Sequence, residues 1–159
     1  MTGFGRILEA LNGTEVRYVI IGGIAVIRHG VVRATRYIDA LVPASEIGSV
    51  RVRQLIESLR ATRPDGSAHR DEDFNARRTL HLHTPMGDLD LMPERDEPLS
   101  FPAVATRAEV RRVDGVPAPV CSLADFVALK RVAGRERDHV DLSDLEAAHG
   151  RLPDSREIG

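Results

Sequence analysis

The 159-residue chain has the size of a single folded domain, and its composition excludes several classes of protein. It is 42% hydrophobic, 29% charged and 4% aromatic, which excludes a disordered chain. Its 22 basic and 24 acidic residues give a formal net charge of −2, which argues against a generally cationic nucleic-acid binder. The single cysteine, Cys121, excludes an internal disulfide and a cysteine-rich zinc module. The sequence contains neither a bilayer-length apolar run nor a signal-peptide core, so we expect a cytoplasmic protein with no membrane association.

The first part of the chain predicts helices that alternate with strands. Residues 3–13 carry apolar side chains at helical spacing. Residues 16–21 are β-branched and aromatic and predict a buried strand, after which 24–29 predict a short helix. A second strand is expected over 37–42. It is followed by a helix that Ser45 caps and that runs to about residue 60.

The second part predicts a hairpin, two short strands and two helices. Clean alternation around the Thr-Pro-Met-Gly turn predicts the hairpin, and Ser122-x-x-Asp125 predicts a helix start. The expected elements are a loop over 62–75, hairpin strands over 79–83 and 88–91, a loop over 93–103, strands over 104–106 and 109–113, and helices over 126–133 and 138–148. We expect a core over 1–120, C-terminal helices over 121–150 that pack on it, and a tail over 151–159.

Two glycines separate the first predicted strand from the short helix after it. Gly22 and Gly23 would let the phosphates of a ligand approach the backbone, and the helix start would offer free N–H groups and a positive dipole end. The same pair also fits a tight turn that binds nothing.

Three aspartates on predicted strands form a second candidate site. Asp39 lies on the strand over 37–42, whereas Asp88 and Asp90 alternate with leucines on the hairpin and so share one face. If the two strands are neighbours, Asp39 and Asp90 converge on one Mg²⁺, the hard cation that serves nucleotidyl transfer. A solvated strand face would give the same Asp-x-Asp pattern.

Two histidines lie on the first strand of the same hairpin. Alternation puts His81 and His83 on one face, roughly opposite Asp90 and Asp88. The simpler interpretation makes them polar partners of these acids. The other makes all four side chains ligands of Zn²⁺ or a redox metal in a hydrolase.

A charged string follows the predicted helix over 126–133. It begins at Lys130, the one lysine among the 22 basic residues, and continues through Arg135 to Asp138 and Asp141. The two cations could hold a triphosphate, with the two acids orienting them through ion pairs. A solvated helix end of mixed charge would look the same.

Three of these motifs together resemble a known superfamily. Residues 18–30 read Tyr-Val-Ile-Ile-Gly-Gly-Ile-Ala-Val-Ile-Arg-His-Gly, and 33–39 read Arg-Ala-Thr-Arg-Tyr-Ile-Asp. This order resembles the signature of the nucleotidyltransferase superfamily, which has a polymerase-beta-like fold. The string over 130–141 is similar to the Lys-x-x-Ala-Gly-Arg-x-x-Asp-x-x-Asp helix of the AbiEii-type toxin nucleotidyltransferases. The resemblance covers most of residues 16–149.

The resemblance implies an α/β (α+β) fold, in which helices flank a nucleotidyltransferase-like mixed sheet and the chain ends in a helical pair. It implies a nucleoside triphosphate as substrate and Mg²⁺ as cofactor. The implied site has catalytic, metal-binding carboxylates at Asp39 and Asp90 and nucleotide-binding residues at Gly22, Gly23, Lys130 and Arg135.

Tyr37 stands where the resemblance places the first catalytic carboxylate. A phenol is a poor Mg²⁺ ligand, and its ring fills the space of a metal ion. Losing one carboxylate from a two-metal site should reduce metal affinity and transition-state stabilisation. Asp88, on the same face as Asp90, could replace it as a metal ligand.

Two functions are therefore expected. The first is Mg²⁺-dependent transfer of a nucleoside monophosphate to a hydroxyl of RNA (tRNA) or protein, as in a toxin-type enzyme. The second is nucleotide binding by a weakened or inactive relative in a toxin–antitoxin or regulatory pair, with an antitoxin as its partner. A tRNA acceptor predicts a basic groove, for which the candidates are Arg28, Arg33, Arg36, Arg131 and Arg135.

Overall fold

A computed structural model describes residues 3–22 and 37–153. The expected helix over 24–29, Gly23 and the arginines at 28, 33 and 36 lie outside the described residues, as do the last six residues. The helices and strands are α1 (Gly3–Gly13), β1 (Val19–Gly22), β2 (Tyr37–Val42), α2 (Val50–Leu59), β3 (Leu80–Thr84), β4 (Gly87–Pro93), α3 (Phe101–Arg107), β5 (Glu109–Val113), β6 (Val116–Val120), α4 (Leu123–Ala133) and α5 (Glu136–His149). Short 3₁₀ turns cover Ala44–Glu46 and Asp71–Asp73.

The six described strands form one mixed sheet in the order β3-β4-β2-β1-β6-β5. β2 and β4 are parallel neighbours, as are β1 and β6, whereas the other three pairs are antiparallel. Helices flank this sheet, and α4 and α5 pack against each other as a C-terminal pair. The predicted mixed sheet with flanking helices is confirmed.

Alternation along the hairpin separates a core face from a polar face. The leucines of β3 and β4 are at most 2% exposed, and the histidines and aspartates alternate with them. Burying one such leucine stabilises the fold by roughly 2 kcal/mol. These leucines belong to one hydrophobic core with the apolar stripe of α1, which contacts both α2 and β4. Because the leucines are buried in the core, the histidines and aspartates on the other face of the hairpin are the residues that remain available for chemistry.

One predicted helix start and one predicted strand were wrong. The helix expected from Ser45 begins only at Val50, because Ala44–Glu46 form a separate 3₁₀ turn and the Ser49 side chain accepts from the Val52 N–H as the N-cap. Residues 101–107, expected as the end of a loop and a strand, are instead α3, which Ser100 caps by accepting from the Ala103 N–H. Local capping outweighed the β-branched composition of 104–106.

β6 was missed, because its Val-Pro-Ala-Pro-Val sequence is unfavourable for a central strand. Proline lacks the N–H that a ladder needs. β6 tolerates two prolines because its pairing with β1 is confined to Val120 opposite Ile20, beyond both of them. In the part of the chain that the structure describes, no helix is long and apolar enough to span a membrane.

Candidate functional site

The acids of β2 and β4 lie side by side on one face of the sheet. Asp39 pairs with Asp90 in the parallel register, and Tyr37 pairs with Asp88 two residues earlier. Register partners on parallel strands point to the same face, about 4.8 Å apart. The predicted neighbourhood of Asp39 and Asp90 is therefore present, and the tyrosine takes the β2 position opposite Asp88.

Gly22, the last residue of β1, lies directly under the Asp39 side chain. The two residues are paired across the antiparallel strands, just past an irregularity in the β1 register. A Cβ on Gly22 would lie 2.4 Å from Asp39 Oδ2 and 2.9 Å from Asp39 Cβ. Only glycine leaves room for this carboxylate, so Gly22 has a steric role in the site, independent of any ligand.

The histidines of β3 bond the acids of β4. His81 Nδ1 lies 2.8 Å from Asp90 Oδ1, and His83 Nδ1 lies 2.6 Å from Asp88 Oδ1. The predicted pairing is confirmed in both cases. One row of partners thus runs His81–Asp90–Asp39 across three strands, and the neighbouring row ends in Tyr37.

Few metal-ligating side chains lie close together in the described part of the chain. Residues 3–22 and 37–153 hold no group of three or more histidine, cysteine or acidic side chains arranged to bind a metal ion. Asp39 and Asp90 nevertheless supply two carboxylates on adjacent strands. Mg²⁺ needs only one or two protein carboxylates when phosphates and water complete its shell. The donor set thus fits one such ion more readily than two.

Asp39 faces a small cavity that α4 and its following loop close. Asp39 is 2% exposed, and the cavity, of about 20 Å³, is also lined by Lys130, Arg135 and Arg95. The hydrogen bond to Asp138 and, more weakly, the charge of Asp39 raise the pKa of Arg135. Three cationic side chains therefore share the lining of this cavity with the buried carboxylate. Arg95 was missed by the sequence analysis, because nothing distinguishes it from other charged residues of the 93–100 loop.

Lys130 is buried, contrary to its expected position on an exposed helix face. Its ammonium lies 2.9 Å from Asp138 Oδ1 and 3.0 Å from Asp141 Oδ2, and both acids are fully buried. Arg135 completes the cluster by donating Nε–H to Asp138 Oδ2 at 2.8 Å. Burial opposes ionisation of Asp138, but its bonds to Arg135 and Lys130 outweigh burial and lower its pKa to about 2. The string over 130–141 is thus an ion-pair cluster and not a solvated helix end.

The remaining described arginine of the predicted basic groove lies apart from these cations. Arg131 is exposed, and its Nη1 donates to the Pro153 carbonyl at 2.8 Å. Of the five arginines proposed for a tRNA groove, only Arg135 is a described residue that lines the cavity of Asp39.

No protein-family model matches the chain, and no curated protein matches it in sequence. Solved structures do match it. The lincomycin-bound lincosamide antibiotic adenylyltransferase LnuA superposes with a TM-score of 0.62 at 18% identity, over 92% of this chain and 96% of its own. The antibiotic-resistance factor ANT(2'')-Ia superposes with a TM-score of 0.61 at 16% identity, over 93% and 83%.

A third match is an antigenic nucleotidyltransferase-like protein from Paracoccidioides brasiliensis, with a TM-score of 0.58 at 16% identity over 92% of this chain and 74% of its own. The chain has the nucleotidyltransferase fold. At these identities the likeness shows the fold alone, and the resemblance to the AbiEii-type enzymes stays a prediction.

Proposed function

We propose that this chain binds a nucleoside triphosphate on the sheet face that carries Asp39 and Asp90 and transfers its nucleotidyl group to a hydroxyl acceptor. The observation that carries the proposal is the register pairing of these two acids, on the face that Gly22 keeps clear and α4 borders. The fold of the antibiotic adenylyltransferases supports it.

The cations have separate tasks in this proposal. Arg135 is 43% exposed at its side chain and lines the Asp39 cavity, so it can donate to phosphate oxygens. Lys130 lines the same cavity but is bonded to two buried acids. Its ammonium therefore acts mainly by adding positive charge near the cavity and by joining α4 to α5 through these ion pairs. Gly22 makes room for the Asp39 carboxylate, and Gly23, outside the described residues, is proposed to let phosphates approach the backbone.

Asp39 and Asp90 would hold Mg²⁺, with Asp88 as a further candidate ligand. The ion would supply charge neutralisation on the phosphates and activation of the acceptor hydroxyl. The residues of the chain position that chemistry: Asp39 is held by burial against Gly22, and Asp90 by its bond to His81. Both contacts restrict the carboxylates to one face of the sheet.

The acceptor is proposed as a hydroxyl of tRNA, of a protein, or of a small molecule. The first two follow the resemblance to toxin-type enzymes. The third follows the lincosamide antibiotic adenylyltransferase LnuA and the complex of ANT(2'')-Ia with adenylyl-2''-tobramycin, which have the same fold. The described residues provide one arginine of the basic groove beside the cavity, so a small molecule deserves testing alongside RNA and protein.

A second candidate function is nucleotide binding without efficient transfer, in a regulatory or toxin–antitoxin pair with an antitoxin partner. Tyr37 favours it, because the ring occupies the β2 position opposite Asp88. With one carboxylate fewer beside Asp39 and Asp90, the site would bind two metal ions less tightly.

One experiment separates the two functions. The chain and its Tyr37→Asp variant are incubated with Mg²⁺ and each α-labelled nucleoside triphosphate, with total RNA, protein extract or hydroxylated antibiotics as acceptors. Label transfer and pyrophosphate release by the unmodified chain support the transferase. Transfer by Tyr37→Asp alone supports the nucleotide-binding relative. Asp39→Asn in each background is the matched control, and transfer that survives it contradicts the assigned site.

A further inference from the structure

The Lys130 cluster contains two buried aspartates that look equivalent but have different contacts. Asp138 and Asp141 are both 0% exposed on α5, and each forms an ion pair with the Lys130 ammonium at about the same distance. Only Asp138 also contacts Arg135. This difference allows the two acids to be separated by experiment.

Asp138 holds Arg135 by both its backbone and its guanidinium. Asp138 Oδ2 accepts from Arg135 Nε at 2.8 Å and from the Arg135 backbone N–H at 3.1 Å, while Oδ1 accepts from Nη2 at 3.3 Å. These side-chain contacts use two of the five N–H groups of the guanidinium. The others remain available on a side chain that is 43% exposed.

Arg135 lies where an unrestrained guanidinium would be drawn to the site acids. It shares the lining of one cavity with Asp39. A guanidinium that is free to rotate would pair with the nearest carboxylate of the site, where it would compete with a bound cation and would no longer be available to a phosphate. Asp138 prevents this because it already holds the guanidinium by hydrogen bonds. Asp138 itself needs no solvent exposure to do so.

We infer that Asp138 is a positioning residue: it fixes the guanidinium of Arg135 so that the remaining N–H groups meet the phosphates of a nucleotide bound beside Asp39. The inference rests on the proposed nucleotide site. It assigns to Asp141, by contrast, no part in holding the guanidinium of Arg135.

The test compares Asp138→Asn with Asp141→Asn. Each variant removes one acid from Lys130 and leaves the other, so both should lose stability in urea denaturation. Equilibrium binding of Mg²⁺–ATP and the other nucleoside triphosphates is then measured on the folded proteins. We expect Asp138→Asn to lose about tenfold in affinity, the effect of about one charge-assisted hydrogen bond, and Asp141→Asn to keep the original affinity.

A double-mutant cycle with Arg135→Gln supplies a readout that a merely structural role would not change. Because Asp138 acts through Arg135, adding Asp138→Asn to Arg135→Gln should cause no further loss of affinity. Equal affinities for the two aspartate variants, or additive losses in the cycle, would overturn the inference. Should Asp138→Asn fail to fold, Arg135→Gln still leaves the ion pairs of Lys130 with Asp138 and Asp141 in place, and unchanged nucleotide binding in that variant would overturn the inference equally. If the unmodified chain binds no nucleotide, the proposed function itself has failed, a result distinct from these.

Discussion

Replacing Lys130 by methionine should destabilise the fold far more than the loss of an ordinary lysine. Met keeps most of the apolar stem but leaves Asp138 and Asp141 buried without the ammonium that lies 2.9 and 3.0 Å from them. Removing one partner from a buried ion pair costs about 3–5 kcal/mol, whereas an exposed pair contributes about 0–1 kcal/mol. The expected loss is a large share of the roughly 5–15 kcal/mol by which domains are stable.

Urea denaturation at neutral pH measures this loss as a fall in the midpoint at constant slope. Arg111→Met is the matched control, because Arg111 pairs with Glu109 and both side chains are more than half exposed. The loss in Lys130→Met should also shrink as the pH falls, since protonation of Asp138 removes a buried charge that has lost its ammonium partner. A loss no larger than that of Arg111→Met would show that the cluster is not a buried ion pair and would return Lys130 to the role of an exposed phosphate ligand.

Three further predictions concern the site, the cluster and a helix end. Gly22→Ala should displace Asp39, because its Cβ would lie 2.4 Å from Oδ2, and should lower both stability and nucleotide affinity; wild-type values for both would contradict the steric argument. The pKa of Asp138 is lowered to about 2 in the folded protein, so this residue contributes stability above the unfolded pKa of about 4 and loses it as the pH falls towards 2. The unfolding free energy, measured as a function of pH in acid, should fall by about 2 kcal/mol across this window. A urea midpoint that does not change with pH in this window would refute the prediction. Ser49→Ala should cost about 1 kcal/mol and Ser45→Ala much less, as urea midpoints would show; the reverse order would place the cap at Ser45.

Elements with a strong local pattern could be predicted from the sequence. The hairpin follows from strict alternation around a turn, and the same alternation correctly pairs His81 with Asp90. α1 and α4 follow from apolar spacing, and α4 also from the Ser122 cap, which accepts from the Asp125 N–H. α3 carries comparable helix signals in its Ser100 cap and early proline, but the β-branched residues that follow them favour a strand.

Contacts between distant segments could not be predicted in the same way. The register that joins Asp39 to Asp90 depends on β2 and β4 being neighbours in the sheet, although α2 and β3 lie between them in the chain. Burial of Lys130 depends on the angle at which α5 folds back on α4. A solvated helix end and a buried ion cluster use the same residue types, so only the packing distinguishes them.

Both proposed functions require a nucleoside triphosphate site beside Asp39 and Asp90. The most direct test is equilibrium binding of each Mg²⁺–nucleoside triphosphate to the unmodified chain and to Asp39→Asn, with Asp71→Asn, a change at a fully exposed acid, as the control. We predict saturable binding that Asp39→Asn weakens by at least about tenfold and Asp71→Asn leaves unchanged. No binding by the unmodified chain, or equal binding by all three proteins, would contradict the claim.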